Sequence, residues 1–150
     1  MTGFEADEVQ DTLTGLPTTF AHNSNFAKGQ QGSVAAGLAV APDADLLLIG
    51  LADQACLTSG DLADLVKSHQ RAEPHKITIP MQGRRRGNPI LVPRGMRPRL
   101  TSNPDHPGCM RFTRGHPEHV QFALLGAPGF FADVDTPEDY AALTVQEAQL

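Results

Sequence analysis

The chain has 150 residues, 40% of them hydrophobic and 19% charged, with a formal net charge of -5 at pH 7. These values suit one soluble domain spanning residues 1–150 and argue against a general nucleic-acid binder; no apolar run approaches the roughly 20 residues that a bilayer span requires. The opening MTGFEADEVQ has neither the basic start nor the apolar stretch of a secretory signal, so the expected compartment is the cytoplasm.

In chain order, Ala6, Val9 and Leu13 recur at helical spacing within residues 5–14, and an extended segment is expected over residues 18–21. The small-residue stretch QQGSVAAGLAVA, residues 30–41, reads as a tightly packed helix that stops before Pro42, with Ser33 available to cap backbone donors near its start. Residues 45–51, DLLLIGL, form a continuous apolar run, the pattern of a parallel strand buried on both faces, and they are the expected central strand. Leu62, Leu65, Val66 and His69 then mark one stripe of a helix over residues 57–70, with Ser59 as its expected N-cap and Asp61 in its first turn. Two strands, residues 76–80 and 89–92, flank the connection QGRRRGN. Residues 93–119 are rich in Pro, Gly, Arg and His and read as loop with one short helix near residues 109–113. A last strand at residues 120–125 precedes DVDTPEDYAAL, where Thr136 caps a helix, Pro137 takes the first helical position, and Glu138 and Asp139 favour its positive end. Strands alternating with helices predict an α/β three-layer fold with a mostly parallel sheet and an antiparallel intrusion at the hairpin.

Positive charge is unevenly placed: eight of the twelve Lys and Arg residues are arginines between Arg84 and Arg114. A solvated basic face explains any one of them, and phosphate is the ligand class that the cluster fits, because guanidinium forks donate paired hydrogen bonds to its oxygens. In open α/β sheets ligands sit beyond the carboxyl ends of the strands, which draws attention to Asp53, directly after the LLLIGLA run, and to Asp133 and Asp135 before the last helix. A turn former or helix-entry residue is the alternative at Asp53. If the two junctions lie side by side, Asp53 and Asp135 can share one magnesium ion, a hard cation held by one or two carboxylates, waters and substrate phosphates. Cys56 and Cys109 lack metal-type spacing and are expected to be reduced thiols. His116 and His119 have a spacing that can seat a metal on a helix, but Pro117 between them favours a turn, and no G-x-S-x-G nucleophile elbow is present.

The order of L-A-D-Q at residues 51–54, R-G-N-P at 86–89 and D-V-D-T-P-E-D-Y at 133–140 resembles the molybdenum cofactor nucleotidyltransferases, especially the cytidylyltransferase-like branch. T-G-F-E-A-D-E-V at residues 2–9 and H-N-S-N-F-A-K-G-Q-Q-G-S-V-A-A-G-L at 22–38 extend the likeness across nearly the whole chain. The resemblance implies a Rossmann-like nucleotidyltransferase domain that joins the terminal phosphate of molybdopterin to a nucleoside monophosphate and releases pyrophosphate. CTP is the implied nucleotide, Mg2+ the cofactor, and a molybdoenzyme or its chaperone a further partner. By position, it implies that Asp53 and Asp135 are catalytic metal ligands supported by Asp133. It puts Gly29 and Ser33 beside the nucleotide, and Arg86, Gly87 and Asn88 on the pterin-phosphate side. A turn pair is the alternative for Gly87 and Asn88.

Two departures accompany the likeness. Family members generally have proline two residues after the metal aspartate, where this chain has Ala55, and they open with a strand and a glycine-rich loop ending in Arg and Lys that has no counterpart after Met1. The chain is therefore expected to be an N-terminally truncated domain that binds nucleotide poorly and exposes a sheet edge. A non-catalytic remnant or accessory protein, binding an anionic pterin or a partner enzyme through the Arg84 to Arg114 region, is the alternative; a sugar-phosphate nucleotidyltransferase is a third reading.

Overall fold

The computed structural model describes residues 1–102 and 108–147, with the backbone alone at Lys28, Gln30 and residues 144–147. Chain contacts divide it into two compact units, Met1–Leu46 with Pro93–His119 and Leu47–Val92 with Val120–Leu150.

In the first unit, α1 spans Ala6–Thr12 and α2 spans Gln30–Val40. The extended segment expected at residues 18–21 is not a strand. Among the described residues, the pairing at its end is a bridge between Thr2 and His22, where Thr2 N–H donates to Ala21 O and Asn23 N–H to Thr2 O, both at 2.9 Å. Ser33 does not cap α2. Gly29 is the N-cap residue, which leaves Ser33 about a turn inside, where its hydroxyl accepts from Asn23 Nδ2 at 3.1 Å. The described parts of the 93–119 stretch, residues 93–102 and 108–119, are more helical than their Pro and Gly content suggests, and residues 103–107 lie outside the described residues: Arg94–Met96 form a single helical turn, α4 follows over Arg97–Thr101 and α5 over Cys109–Gly115, the latter longer than the helix expected there. Pro98 sits in the first turn of α4, where its missing N–H costs nothing. Arg94 donates to Asp43 at 2.8 Å and to Asp45 at 3.1 Å, and Arg97 donates to the carbonyls of Pro42 and Ala44. Two of the clustered arginines are thus bound to the 42–45 loop.

The second unit carries the sheet. Its strands are β1, Leu46–Ile49; β2, Ile77–Gln82; β3, Arg85–Arg86; β4, Ile90–Pro93; and β5, Val120–Leu124. They run in the order β1-β4-β2-β3, with β5 also on β2. The longest ladder is the parallel one between β2 and β5, from Ile77 opposite Val120 to Met81 opposite Leu124. The antiparallel pairings fall at the hairpin, as expected: Thr78 faces Leu91 on β4, and Gln82 faces Arg85 across a two-residue turn that opens with Gly83 at φ 60°.

The central strand is β2, not the LLLI run. Ile77, Thr78, Ile79 and Pro80 are all buried, whereas β1 is half-buried with Leu48 43% exposed. Apolarity along a run reports what a strand can bury; its place in the sheet is set by its partners, and β2 has three. Helix α3, Ser59–Arg71, buries Leu65 and His69. Its N-cap is Thr58 rather than Ser59, because Thr58 forms a reciprocal box with Asp61: Asp61 N–H donates to Thr58 Oγ1 at 3.1 Å and Thr58 N–H to Asp61 Oδ2 at 2.9 Å. Helix α6, Pro137–Glu147, starts where expected, with a matching box in which Asp139 N–H donates to Thr136 Oγ1 and Thr136 N–H to Asp139 Oδ2. Those hydrogen bonds, that of the Thr136 hydroxyl first, hold the Asp139 carboxyl below its ordinary pKa. Among the described residues, no helix is long and apolar enough to cross a membrane.

Candidate functional site

The two acidic junctions meet through the backbone. Asp53 lies in the turn after β1, and its carbonyl accepts from Val134 N–H at 2.9 Å, so the residue between Asp133 and Asp135 is bonded to Asp53 itself. One carboxylate oxygen of Asp53, Oδ1, is buried without a hydrogen-bond partner. An ionised oxygen in that state is costly unless a cation or a donor offsets its lost hydration. Asp133 and Asp135 are exposed and line an open cavity of about 450 Å3 with Gln82, Arg85, Pro128, Phe131 and Ala132. Asp53 is absent from that lining. Among the described residues no three His, Cys, Asp or Glu side chains are grouped to hold a metal ion, so Asp53, Asp133 and Asp135 do not form a ready-made cage.

A single carbonyl joins the loops around this site. Phe130 O accepts from Asn88 N–H at 2.9 Å and from the buried Gln54 Nε2 at 3.2 Å. It thereby ties the turn after β1 to the β3–β4 connection and to the segment entering the Asp133 loop. Gly87 completes the joint: its N–H donates to Pro80 O at 2.8 Å, and a Cβ there would lie 2.5 Å from Phe130 O and 2.7 Å from the Phe131 ring. The glycine is required by packing rather than by a turn. Arg86 sets its guanidinium over the Phe122 ring, 5.8 Å from the centroid.

None of Arg86, Gly87 and Asn88 lines the acidic cavity. The arginine that does is Arg85, whose Nη2 donates to Phe131 O and whose guanidinium lies 5.8 Å from the centre of the Phe131 ring. Sequence reading missed it, since three successive arginines offer no reason to prefer one. The alternation of a strand is the signal that separates Arg85 from Arg86, and it becomes usable once the Gln82–Arg85 register is known.

In the first unit, Gly29 opens α2 at φ 102°, with nothing within 4 Å of where a Cβ would stand. The helix start is open to approach there, and a side chain would be strained by the backbone alone. Ser33 is engaged by Asn23, as described above. His119 Nε2 lies 2.9 Å from Arg99 Nη1, and His116 Nδ1 lies 3.2 Å from Glu118 within a stack on Phe112. Since a guanidinium only donates, His119 Nε2 is the acceptor of this contact. Both cysteines are free thiols, and burial pushes Cys109 up to about 11, away from the range of a reactive thiolate.

Residues 2–120 match the MobA-like NTP transferase domain, which is most of the chain and includes Asp53 and Arg85 to Asn88. The chain belongs to this family. The matched stretch stops before Asp133 and Asp135, which this MobA-like domain brings to Asp53 through the Val134 hydrogen bond. Among solved structures, a homologue of Mycobacterium tuberculosis rv0371c from Mycobacterium sp. strain JC1 has the same fold, with a TM-score of 0.68 and 23% identity, over 98% of this chain and 73% of that one. Comparison with curated proteins found no match.

Proposed function

We propose that this MobA-like domain transfers CMP from CTP to molybdopterin or the molybdenum cofactor, with release of pyrophosphate and with Mg2+ as cofactor. The observation that carries the reading is the hydrogen bond from Val134 to Asp53, which joins two acid-bearing segments, 80 positions apart in sequence (Asp53, Asp133). The unpartnered Oδ1 of Asp53 and the exposed carboxylates of Asp133 and Asp135 are hard oxygen donors that suit magnesium. Asp53 and Asp135 would hold the ion, with Asp133 in support; when bound, it supplies positive charge against the phosphate being transferred.

The chain's own contribution is placement. The Phe130 carbonyl fixes Gln54 and Asn88, and with them the loops that bear Asp53 and the hairpin end, so that substrate phosphates meet groups already in position. Gly29 and Ser33 serve the nucleotide in this reading, and Arg86 to Asn88 the pterin phosphate.

The test is pyrophosphate release from CTP or GTP with molybdopterin, with and without Mg2+, for the wild type, Asp53→Ala and Asp135→Ala. Wild-type turnover should require Mg2+, and each variant should lose on the order of 10²-fold or more in kcat with its melting temperature preserved, the scale seen when one stabilising group at developing charge is removed. Wild-type rates in both variants would refute the assignment.

A further inference from the structure

Oppositely charged groups that line one cavity can pair with each other. Here they do not. Arg85 and the two carboxylates Asp133 and Asp135 line the same cavity of about 450 Å3, yet Arg85 is held to the wall by Phe131, through its carbonyl and its ring. Arg85 is exposed and, among the described residues, makes no ion pair, so its charge faces solvent and is open to an entering anion. An arginine held by one Nη still presents its remaining N–H donors, and a fork fixed in this way loses little freedom when it binds. The other lining groups, Gln82, Pro128, Phe131 and Ala132, bring no second cation.

A cavity lined by one held guanidinium and two exposed carboxylates suits an anion that arrives with its own cation. Phosphate carried with a divalent metal has that character: metal toward the carboxylates, unshared oxygens toward the arginine. We propose that Arg85 is a phosphate-binding residue of this cavity, taking the anionic oxygens of a substrate phosphate in the space it shares with Asp133 and Asp135. The proposal rests on the nucleotidyltransferase reading for the identity of the anion, which comes either from the triphosphate or from the acceptor's phosphate monoester.

Titration calorimetry with pyrophosphate, and separately with inorganic phosphate, each with Mg2+ present, tests it on the wild type, Arg85→Gln and Arg85→Lys. Weakened pyrophosphate binding assigns Arg85 to the triphosphate side, and weakened inorganic phosphate binding alone assigns it to the acceptor side. The expected loss in Arg85→Gln is about tenfold or more, the scale of one hydrogen bond to a charged group. Unchanged affinity for both probes in Arg85→Gln, or a wild type that binds neither, would overturn the proposal. Melting curves separate binding from the role of a staple on Phe131. If Arg85→Gln also melts early, Arg85→Lys decides: recovered affinity supports the charge, and affinity lost in step with stability rejects it. Because binding is read without turnover, Arg85-dependent binding in a protein that makes no pyrophosphate would sink the proposed function alone, whereas turnover with unaltered Arg85→Gln binding would sink this inference alone.

Discussion

Gly87 shows how closely the residues of the site are packed. A methyl at that position has no room, since the nearest atom would be a carbonyl oxygen already bonded to Asn88 and Gln54. Gly87→Ala should therefore destabilise the protein by about 1–3 kcal/mol, the usual scale of overpacking, and urea unfolding should show the lower midpoint. An unchanged midpoint would mean that Phe130 and Phe131 shift freely and that the joint is loose. The arginines divide at the same scale. Arg94 and Arg97 are consumed by the 42–45 loop, Arg86 lies on Phe122, and Arg85 alone among the cavity's lining residues is cationic. A run of like residues on paper is a set of separate roles once each side chain has a neighbour.

At the scale of elements, α3 is the informative case. Its apolar stripe was legible from spacing, but its cap was misplaced by one residue because Thr58 and Ser59 are both competent caps and only the box with Asp61 selects between them. Thr58→Ala should cost about 1 kcal/mol in urea unfolding, while Ser59→Ala should cost much less. Equal effects would show that the box contributes nothing. His69, placed on the apolar stripe by its spacing, is buried, its Nδ1 2.7 Å from Thr78 Oγ1 on β2. Gln121 on β5 joins them, donating to Thr78 Oγ1 at 2.7 Å and accepting from Glu73 N–H at 2.7 Å. This network links the helix to both strands of the parallel ladder. It was invisible in the sequence because a histidine on a helix reports nothing of the threonine and glutamine that the sheet will set against it.

For the molecule as a whole, the buried His69 makes stability depend on pH. Burial lowers its pKa from the ordinary 6.5, so between the lowered value and 6.5 the unfolded chain binds the proton that the folded chain refuses. Stability is then full above pH 6.5 and falls as the pH drops toward the folded value. Urea midpoints measured from pH 7.5 down to 5 should decline more steeply in the wild type than in His69→Gln. Parallel declines would remove His69 as the cause. The sequence by itself determined the alternation of strands and helices, the start of α6 at Pro137 and the place of Asp53, Asp133 and Asp135 at element junctions, because periodicity, capping and strand-end position are local properties that a linear pattern records. It misjudged which strand is central, the role of Ser33 and which arginine reaches the acidic cavity. Those depend on partners distant in the chain: β4 and β5 around β2, Asn23 beside Ser33, and Phe131 under Arg85. Only the tertiary structure decided them, since a side chain's neighbours, unlike its periodicity, exist only after the chain has closed on itself.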